Sequence, residues 1–265
     1  MTKIDKLAVV SGASSGIGAA TARRLINEGW TVVGVARRSA RLEELKSSLT
    51  EGAERFFVEA LDASDGAAVQ AMARRVLEAH GAPRAVVNSA GAGRWKFIEE
   101  TSPEEAITMM GAPYFAAFNL TQAFMAAMLE ARRGVVIHIG SPASLYSWPG
   151  ATGYTAARWA LRGLHEALTQ DLYGTGVSSC HVMFGEVSSE YFVNNPDSHE
   201  HIPGIGRIIP VIDPEACGRV VARVIARPRK LVLYPATMWL MHAFGRWMPW
   251  LIRLLALRTG RRHAR

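Results

Sequence analysis

The chain has 265 residues, 49% hydrophobic and 20% charged, enough for a packed core and incompatible with wholesale disorder. Its two cysteines, Cys180 and Cys217, exclude a disulfide-framed secreted module and a four-cysteine zinc site. The formal charge of +7 is unevenly placed: eleven Lys and Arg with no acidic residue lie between Ala216 and Arg265, and setting those eleven aside turns +7 into −4.

Short apolar, β-branched runs predict buried strands at Leu7–Ser11, Thr31–Ala36, Arg55–Ala60, Ala85–Asn88, Val135–Gly140 and Val177–Met183. Helical periodicity predicts helices at Ile17–Glu28, Arg41–Thr50, Ala67–His80, Pro103–Ala131 and Thr155–Tyr173, with Gly29, Gly81, Gly134 and Gly174 placed after them as C-caps. This alternation predicts an α/β fold, a doubly wound parallel sheet with helices on both faces, over residues 1–234. The run Leu7–Val10 is too short for a secretory signal, so the default expectation is a reducing, cytoplasmic location.

Glu190–Val211 breaks the pattern and reads as a long loop or lid. Its His199-Glu200-His201 cluster has no third ligand at useful spacing, so the expectation is solvated polar residues and no metal site. Residues 235–265 read as a C-terminal amphipathic helical extension. Within Ala236–Leu257, Arg246 and Arg253 interrupt an apolar stretch and Pro249 breaks its helix, which predicts two short amphipathic helices and not a membrane span. Trp239, Trp247 and Trp250 suit an interface, His242, Arg246 and Arg253 share one side, and Arg261, Arg262 and Arg265 form a basic end. That mixture suits the cytoplasmic face of a membrane better than nucleic acid, the other reading being a tail packed over a pocket or a partner subunit.

Ser11-Gly12-Ala13-Ser14-Ser15-Gly16-Ile17-Gly18 joins the first strand to the first helix. Such a turn curls tightly, lets a pyrophosphate approach, and presents a helix N-terminus to the anion. Gly12, Ser14, Ser15, Gly16, Ile17 and Gly18 are therefore candidate cofactor residues. At the end of the second strand, where a carboxylate would select NAD, the chain has Arg37 and Arg38; guanidinium groups pair with a 2′-phosphate, so NADP(H) is the expected cofactor.

With Asn88-Ser89-Ala90-Gly91 after the fourth strand, Ser141 after the fifth and Tyr154 thirteen residues further on, the chain resembles the short-chain dehydrogenase/reductase family, to about Tyr234. It looks most like the membrane-associated hydroxysteroid and retinol dehydrogenases. The resemblance implies a Rossmann domain and hydride transfer between the nicotinamide and a carbonyl or alcohol carbon, with Tyr154 as general acid/base and Ser141 hydrogen-bonding the substrate oxygen. It adds Asp62 at the adenine, Asn88, Ala90 and Gly91 along the cofactor, and Gly185, Val187 and Ser189 in a degenerate nicotinamide loop. A phenol exchanges protons near neutrality only with a cation beside it, and the family uses a lysine four residues on. Here that position is Arg158, whose charge is permanent but which relays no proton, and the family's helix-borne asparagine aligns with Pro113. Two expectations follow: an NADP(H)-dependent oxidoreductase for a hydrophobic carbonyl or alcohol (steroid, retinoid or lipid-like), or a cofactor-binding protein of the same fold with little or no turnover. Ser144, Tyr146, Trp148, Phe192 and the Trp95 region are candidate pocket walls. The resemblance also implies a homodimer or homotetramer built on Tyr114–Met128 and Tyr154–Leu168.

Overall fold

A parallel strand is covered on both faces, so it takes apolar residues at nearly every position. Leu7–Ser11 (β1) is buried throughout and Thr31–Ala36 (β2) at all but its last residue. The computed structural model describes residues 4–196 and 198–259. Five more strands follow: Phe56–Ala60 (β3), Ala85–Asn88 (β4), Gly134–Gly140 (β5), Val177–Phe184 (β6) and Leu231–Tyr234 (β7). They form one parallel sheet in the order β3-β2-β1-β4-β5-β6-β7. β7 is absent from the predicted strands, because its four residues are half-buried or exposed and directly follow the basic run Arg227–Lys230.

The helices are Gly16–Asn27 (α1), Ser39–Ser47 (α2), Gly66–His80 (α3), Pro103–Met110 (α4), Ala116–Glu130 (α5), Thr152–Asp171 (α6), Tyr191–Asn194 (α7), Pro214–Ala226 (α8), Ala236–Trp247 (α9) and Pro249–Thr259 (α10). One face of the sheet buries Leu25 and Ile26 of α1, Leu42 of α2 and Val221 of α8; the other buries Met72 of α3 and Leu120 and Phe124 of α5. Truncating a fully buried phenylalanine such as Phe124 to alanine costs about 3–5 kcal/mol in comparable cores. The single helix predicted over Pro103–Ala131 is divided. Pro113 has no N–H for the helical ladder, and the chain widens into one π turn at Gly111–Phe115 before continuing as α5.

Between the sheet and α5–α6 lies a polar layer. Asn88 Nδ2 donates to Thr121 Oγ1 at 3.1 Å and lies 3.3 Å from His138 Nδ1, while His165 Nδ1 lies 2.8 Å from Ser179 Oγ. His165 packs between His138 and His181, with ring centroids 6.1 and 5.3 Å away. Burial, then the neighbouring His165, lowers the pKa of His138 to about 3, and burial also lowers His165 and His181. These imidazoles are neutral in the fold but titrate near ~6.5 when unfolded. Their contribution is fully present above ~pH 6.5 and is lost as pH falls towards 3. The free energy of urea unfolding is expected to drop between ~pH 7 and ~pH 4, with about 3 kcal/mol from His138 alone. In His138→Gln the same pH change should cost clearly less; an unchanged slope would contradict this account.

Candidate active site

Strand order reverses between β1 and β4, so the loops leaving their C-terminal ends diverge and open a crevice. A cavity of about 990 Å³ runs along it from the glycine turn to Tyr154 and on beneath the C-terminal helices. Gly12 has φ +67°, and a Cβ there would lie 2.9 Å from the Ser89 carbonyl oxygen. Ser15 precedes α1 in an extended conformation and makes no side-chain cap, leaving the first N–H groups of the helix to whatever enters the crevice. Ser14, Ser15, Gly16 and Ile17 line the cavity. Gly18 does not: it faces the turn itself, where a Cβ would fall 2.2 Å from the Gly12 oxygen.

Arg37 and Arg38 both reach the cavity. Arg38 arches over the glycine turn, its Nη2 3.4 Å from Ser14 Oγ and 3.3 Å from Ser15 Oγ. Asp62 accepts hydrogen bonds from the Ser64 N–H at 2.9 Å and hydroxyl at 2.7 Å. Burial pushes its pKa up, but these bonds and the Arg37 charge outweigh that and hold it below the usual carboxylate value. Ala90, Gly91, Gly185, Val187 and Ser189 line the cavity as well. Asn88 is a correction to the expected cofactor contacts. Its side chain turns into the polar layer behind the crevice wall, because strand side chains alternate faces.

Ser141 Oγ accepts from the Ala143 N–H at 3.3 Å and lines the cavity together with Tyr154 and Arg158. Ser144, an expected wall residue, instead sits behind Ser141 and donates to its carbonyl at 2.8 Å. Tyr154 stands in the first turn of α6, with its ring against Trp95 at 5.1 Å. Arg158, one turn further on, is only 7% exposed. The sequence reading puts its charge beside the phenol oxygen, whereas the structure lays the guanidinium over the ring face, Cζ 5.0 Å from the centroid. It is held there by the Ile139 carbonyl, which accepts from Nη1 at 3.1 Å, and by Gly91, where a Cβ would come within 2.8 Å of Nη2.

The outer wall is aromatic: Trp95, Tyr146, Trp148, Tyr191 and Phe192, with Met241 of α9 and Ile252 and Ala256 of α10 closing it. The expected loop from Glu190 is a fastened lid. Tyr191 Oη donates to the Gly93 carbonyl at 3.0 Å and accepts from Trp95 Nε1 at 3.2 Å; Asn195 Oδ1 accepts from the Gly93 N–H at 3.1 Å, and Ser198 Oγ from the Trp95 N–H at 3.0 Å. Tyr191 escaped the sequence reading because this segment has no periodicity to orient a side chain. His199 pairs with Glu186 at 3.2 Å, and the His201 ring meets Phe97. Cys180 and Cys217 are buried, their thiols pushed up to about 11 and about 12 by burial.

A glycine turn at the switch point of a parallel sheet, continuous with a serine and a tyrosine, defines a Rossmann-type α/β class. The chain belongs to the short-chain dehydrogenase family of oxidoreductases: residues 6–199 match that family's profile. The mouse protein named dehydrogenase/reductase SDR family member 7 is 30% identical over 195 residues, 72% of this chain and 58% of the relative, so the chain spans under two thirds of that protein's length. A 3-ketodihydrosphingosine reductase of Bacteroides thetaiotaomicron is 25% identical over 92% of this chain and 93% of its own. Among solved structures, a Burkholderia phymatum family member in complex with NAD superposes with a TM-score of 0.82 at 24% identity, covering all of both chains. The closed form of a serine dehydrogenase complexed with NADP+ does so with 0.77 at 26%, covering 87% and 95%.

Two glycines test the turn. Gly18→Ala drives a Cβ into backbone and is expected to cost about 2 kcal/mol of unfolding free energy. Gly163→Ala, on α6 with nothing within 4 Å, is expected to gain about 1 kcal/mol. Equal effects from the two would refute the close packing assigned to Gly18.

Proposed function

We propose that the protein is an NADP(H)-dependent oxidoreductase acting on a lipophilic carbonyl or alcohol. The observation that carries this reading is the continuity of the cavity: Arg37 and Arg38 stand at one end, Ser141 and Tyr154 in the middle, and an aromatic and aliphatic wall at the other. The residues fit a dinucleotide. Gly12 allows close approach, the uncapped α1 terminus suits a pyrophosphate, and two guanidiniums at the β2 end suit a 2′-phosphate where a carboxylate would repel it. The NADP+ complex of the serine dehydrogenase supports the choice of phosphate form, while the NAD complex of the other neighbour is the competing precedent.

When bound, the reduced nicotinamide supplies hydride, and the net reaction is carbonyl plus NADPH plus a proton giving alcohol and NADP+. The chain's own part is to hold and protonate the oxygen. Ser141 hydrogen-bonds it, Tyr154 hands it the phenolic proton, and Arg158 offsets the charge left on the phenol. The aromatic wall excludes water and favours an apolar substrate. The sphingoid-ketone reductase among the relatives supports a lipid-like one.

A second reading, a cofactor-binding protein with little turnover, is favoured by the guanidinium lying over the ring instead of at its oxygen. NADPH consumption over a panel of lipophilic ketones and aldehydes separates the two. Turnover is expected, with NADPH preferred over NADH. Arg37→Glu/Arg38→Glu is expected to weaken NADPH binding by about 100-fold while leaving NADH within a few-fold. Arg158→Lys should raise turnover. Tight NADPH binding with no turnover in either the wild type or Arg158→Lys establishes the second reading instead.

The same proposal takes the C-terminal helices to a membrane surface. Among the described residues no helix is long and apolar enough to cross a bilayer. α9 and α10 nevertheless expose Trp239, Leu240, Phe244, Trp247 and Trp250 beside Arg246, Arg253 and Arg258, while their inner faces line the cavity. Arg261, Arg262 and Arg265 lie outside the described residues. The exposed Phe118 of α5 and Trp159 of α6 support pairing of two copies through those helices. Cosedimentation with vesicles containing anionic lipid is expected, weakened at least tenfold in Trp239→Ser/Trp247→Ser/Trp250→Ser. Equal sedimentation with purely zwitterionic vesicles, or binding unaffected by the substitutions, counts against this surface.

A further inference from the structure

Proton transfer from Tyr154 leaves a phenolate, and a buried anion needs donors aimed at its oxygen. Arg158 meets the ring face, with Nη1 already given to the Ile139 carbonyl. Its guanidinium gives no hydrogen bond to the phenol oxygen.

A second phenol lies in the right place. The Tyr191 ring packs edge-on to that of Tyr154, centroids 6.3 Å apart and planes at 61°, and both rings line the same cavity. Tyr191 is fixed from both sides: Trp95 Nε1 donates to its oxygen at 3.2 Å, and its own proton goes to the Gly93 carbonyl at 3.0 Å. Its backbone carbonyl accepts from Asn195 Nδ2 at 2.7 Å, tying α7 to the residue that also holds Gly93. The titratable and charged groups facing it are Tyr154 and Arg158, both from α6. Burial, then the neighbouring Tyr154, raises its pKa well above that of an ordinary phenol, so Tyr191 keeps its proton and remains a donor.

We infer that Tyr191 is a second catalytic phenol, whose O–H turns from the Gly93 carbonyl to the Tyr154 oxygen when that oxygen becomes anionic. In the structure the Tyr191 hydroxyl is bonded to Gly93 and Trp95 and not to Tyr154, so the turn includes a small closing shift of the two adjoining rings. It is favourable because a hydrogen bond to an anion is roughly twice as strong as one to a neutral carbonyl. The Trp95 N–H received by Tyr191 polarises its O–H and strengthens that donation. In the reduction direction, the carbonyl carbon takes up hydride, its oxygen takes the Tyr154 proton, and Tyr191 stabilises the phenolate until water reprotonates it. In the oxidation direction, the same bond favours the phenolate that accepts the alcohol proton.

The inference rests on the oxidoreductase reading, and its test has one arm with turnover and one without. In Tyr191→Phe, kcat is expected to fall about 10- to 100-fold in both directions with substrate KM and NADPH affinity changed less than threefold. The acid limb of alcohol oxidation, where activity rises as the phenolate forms, should move upward by about one pH unit, matching a tenfold loss. Trp95→Phe, which keeps a smaller aromatic ring in the wall and removes the N–H, should move the limb in the same direction by less. In the arm without substrate, ultraviolet difference titration follows the tyrosinate signal identified by its loss in Tyr154→Phe, and that signal is expected at higher pH in Tyr191→Phe. A folded Tyr191→Phe with kcat within twofold and an unmoved limb and tyrosinate signal overturns the inference and leaves the oxidoreductase reading standing. Absence of turnover in the wild type overturns the oxidoreductase reading, and the titration then decides the contact between the phenols alone.

Discussion

A buried guanidinium held by a backbone carbonyl and an aromatic face is the interaction around which this site is arranged. Arg158 cannot lose its proton, and removing a charge from water costs several kcal/mol unless it is well bonded, so its surroundings must accommodate it. Gly91 leaves room for Nη2, Ile139 turns its carbonyl towards Nη1, and Tyr154 offers the negative face of its ring. Behind it, His181 is kept neutral, first by burial, then by His138 and His165, then by Arg158 itself. Burial therefore sets the protonation of the layer beneath, to which the Arg158 charge adds at His181, while the guanidinium packs on the ring of the phenol above it.

The lid follows from the same packing. Trp95 lies against Tyr154 and Trp148, and its backbone and indole N–H groups fasten Ser198 and Tyr191. The strand-end segment carrying Trp95 thus links the dinucleotide half of the crevice to its apolar half. Closure is written in directional bonds at Gly93 and Trp95, and the aromatic wall fills in around them.

The parallel sheet, the glycine turn and the break at Pro249 were all legible in the sequence, since each rests on local chemistry: strand apolarity, a left-handed glycine, a missing N–H. Pro113 was legible as a disturbance, though not as a π turn, because the choice between kink and widened turn depends on what packs against it. Direction was harder to read. Asn88 ends a strand, and one residue of register decides between crevice and polar layer. Arg158 stands one helical turn from Tyr154, a spacing that places it on the same face without saying whether the charge meets the ring or its oxygen. Gly18 belongs to the motif but packs on the motif's own backbone. Tyr191 had no signal, lying in a segment tied down by the Gly93 and Trp95 backbone and the Trp95 indole, about a hundred positions earlier, and by bonds within the segment itself.

The apolar end of the cavity is finished by Met241, Ile252 and Ala256, from the last two helices, whereas the glycine turn, β2 and Tyr154 all precede them in the chain. During translation, the nucleotide half has every one of its strand-borne groups out of the ribosome before the hydrophobic roof emerges. The order of synthesis therefore leaves the apolar chamber, whose aromatic wall is made earlier, open on one side until α9 and α10 have followed.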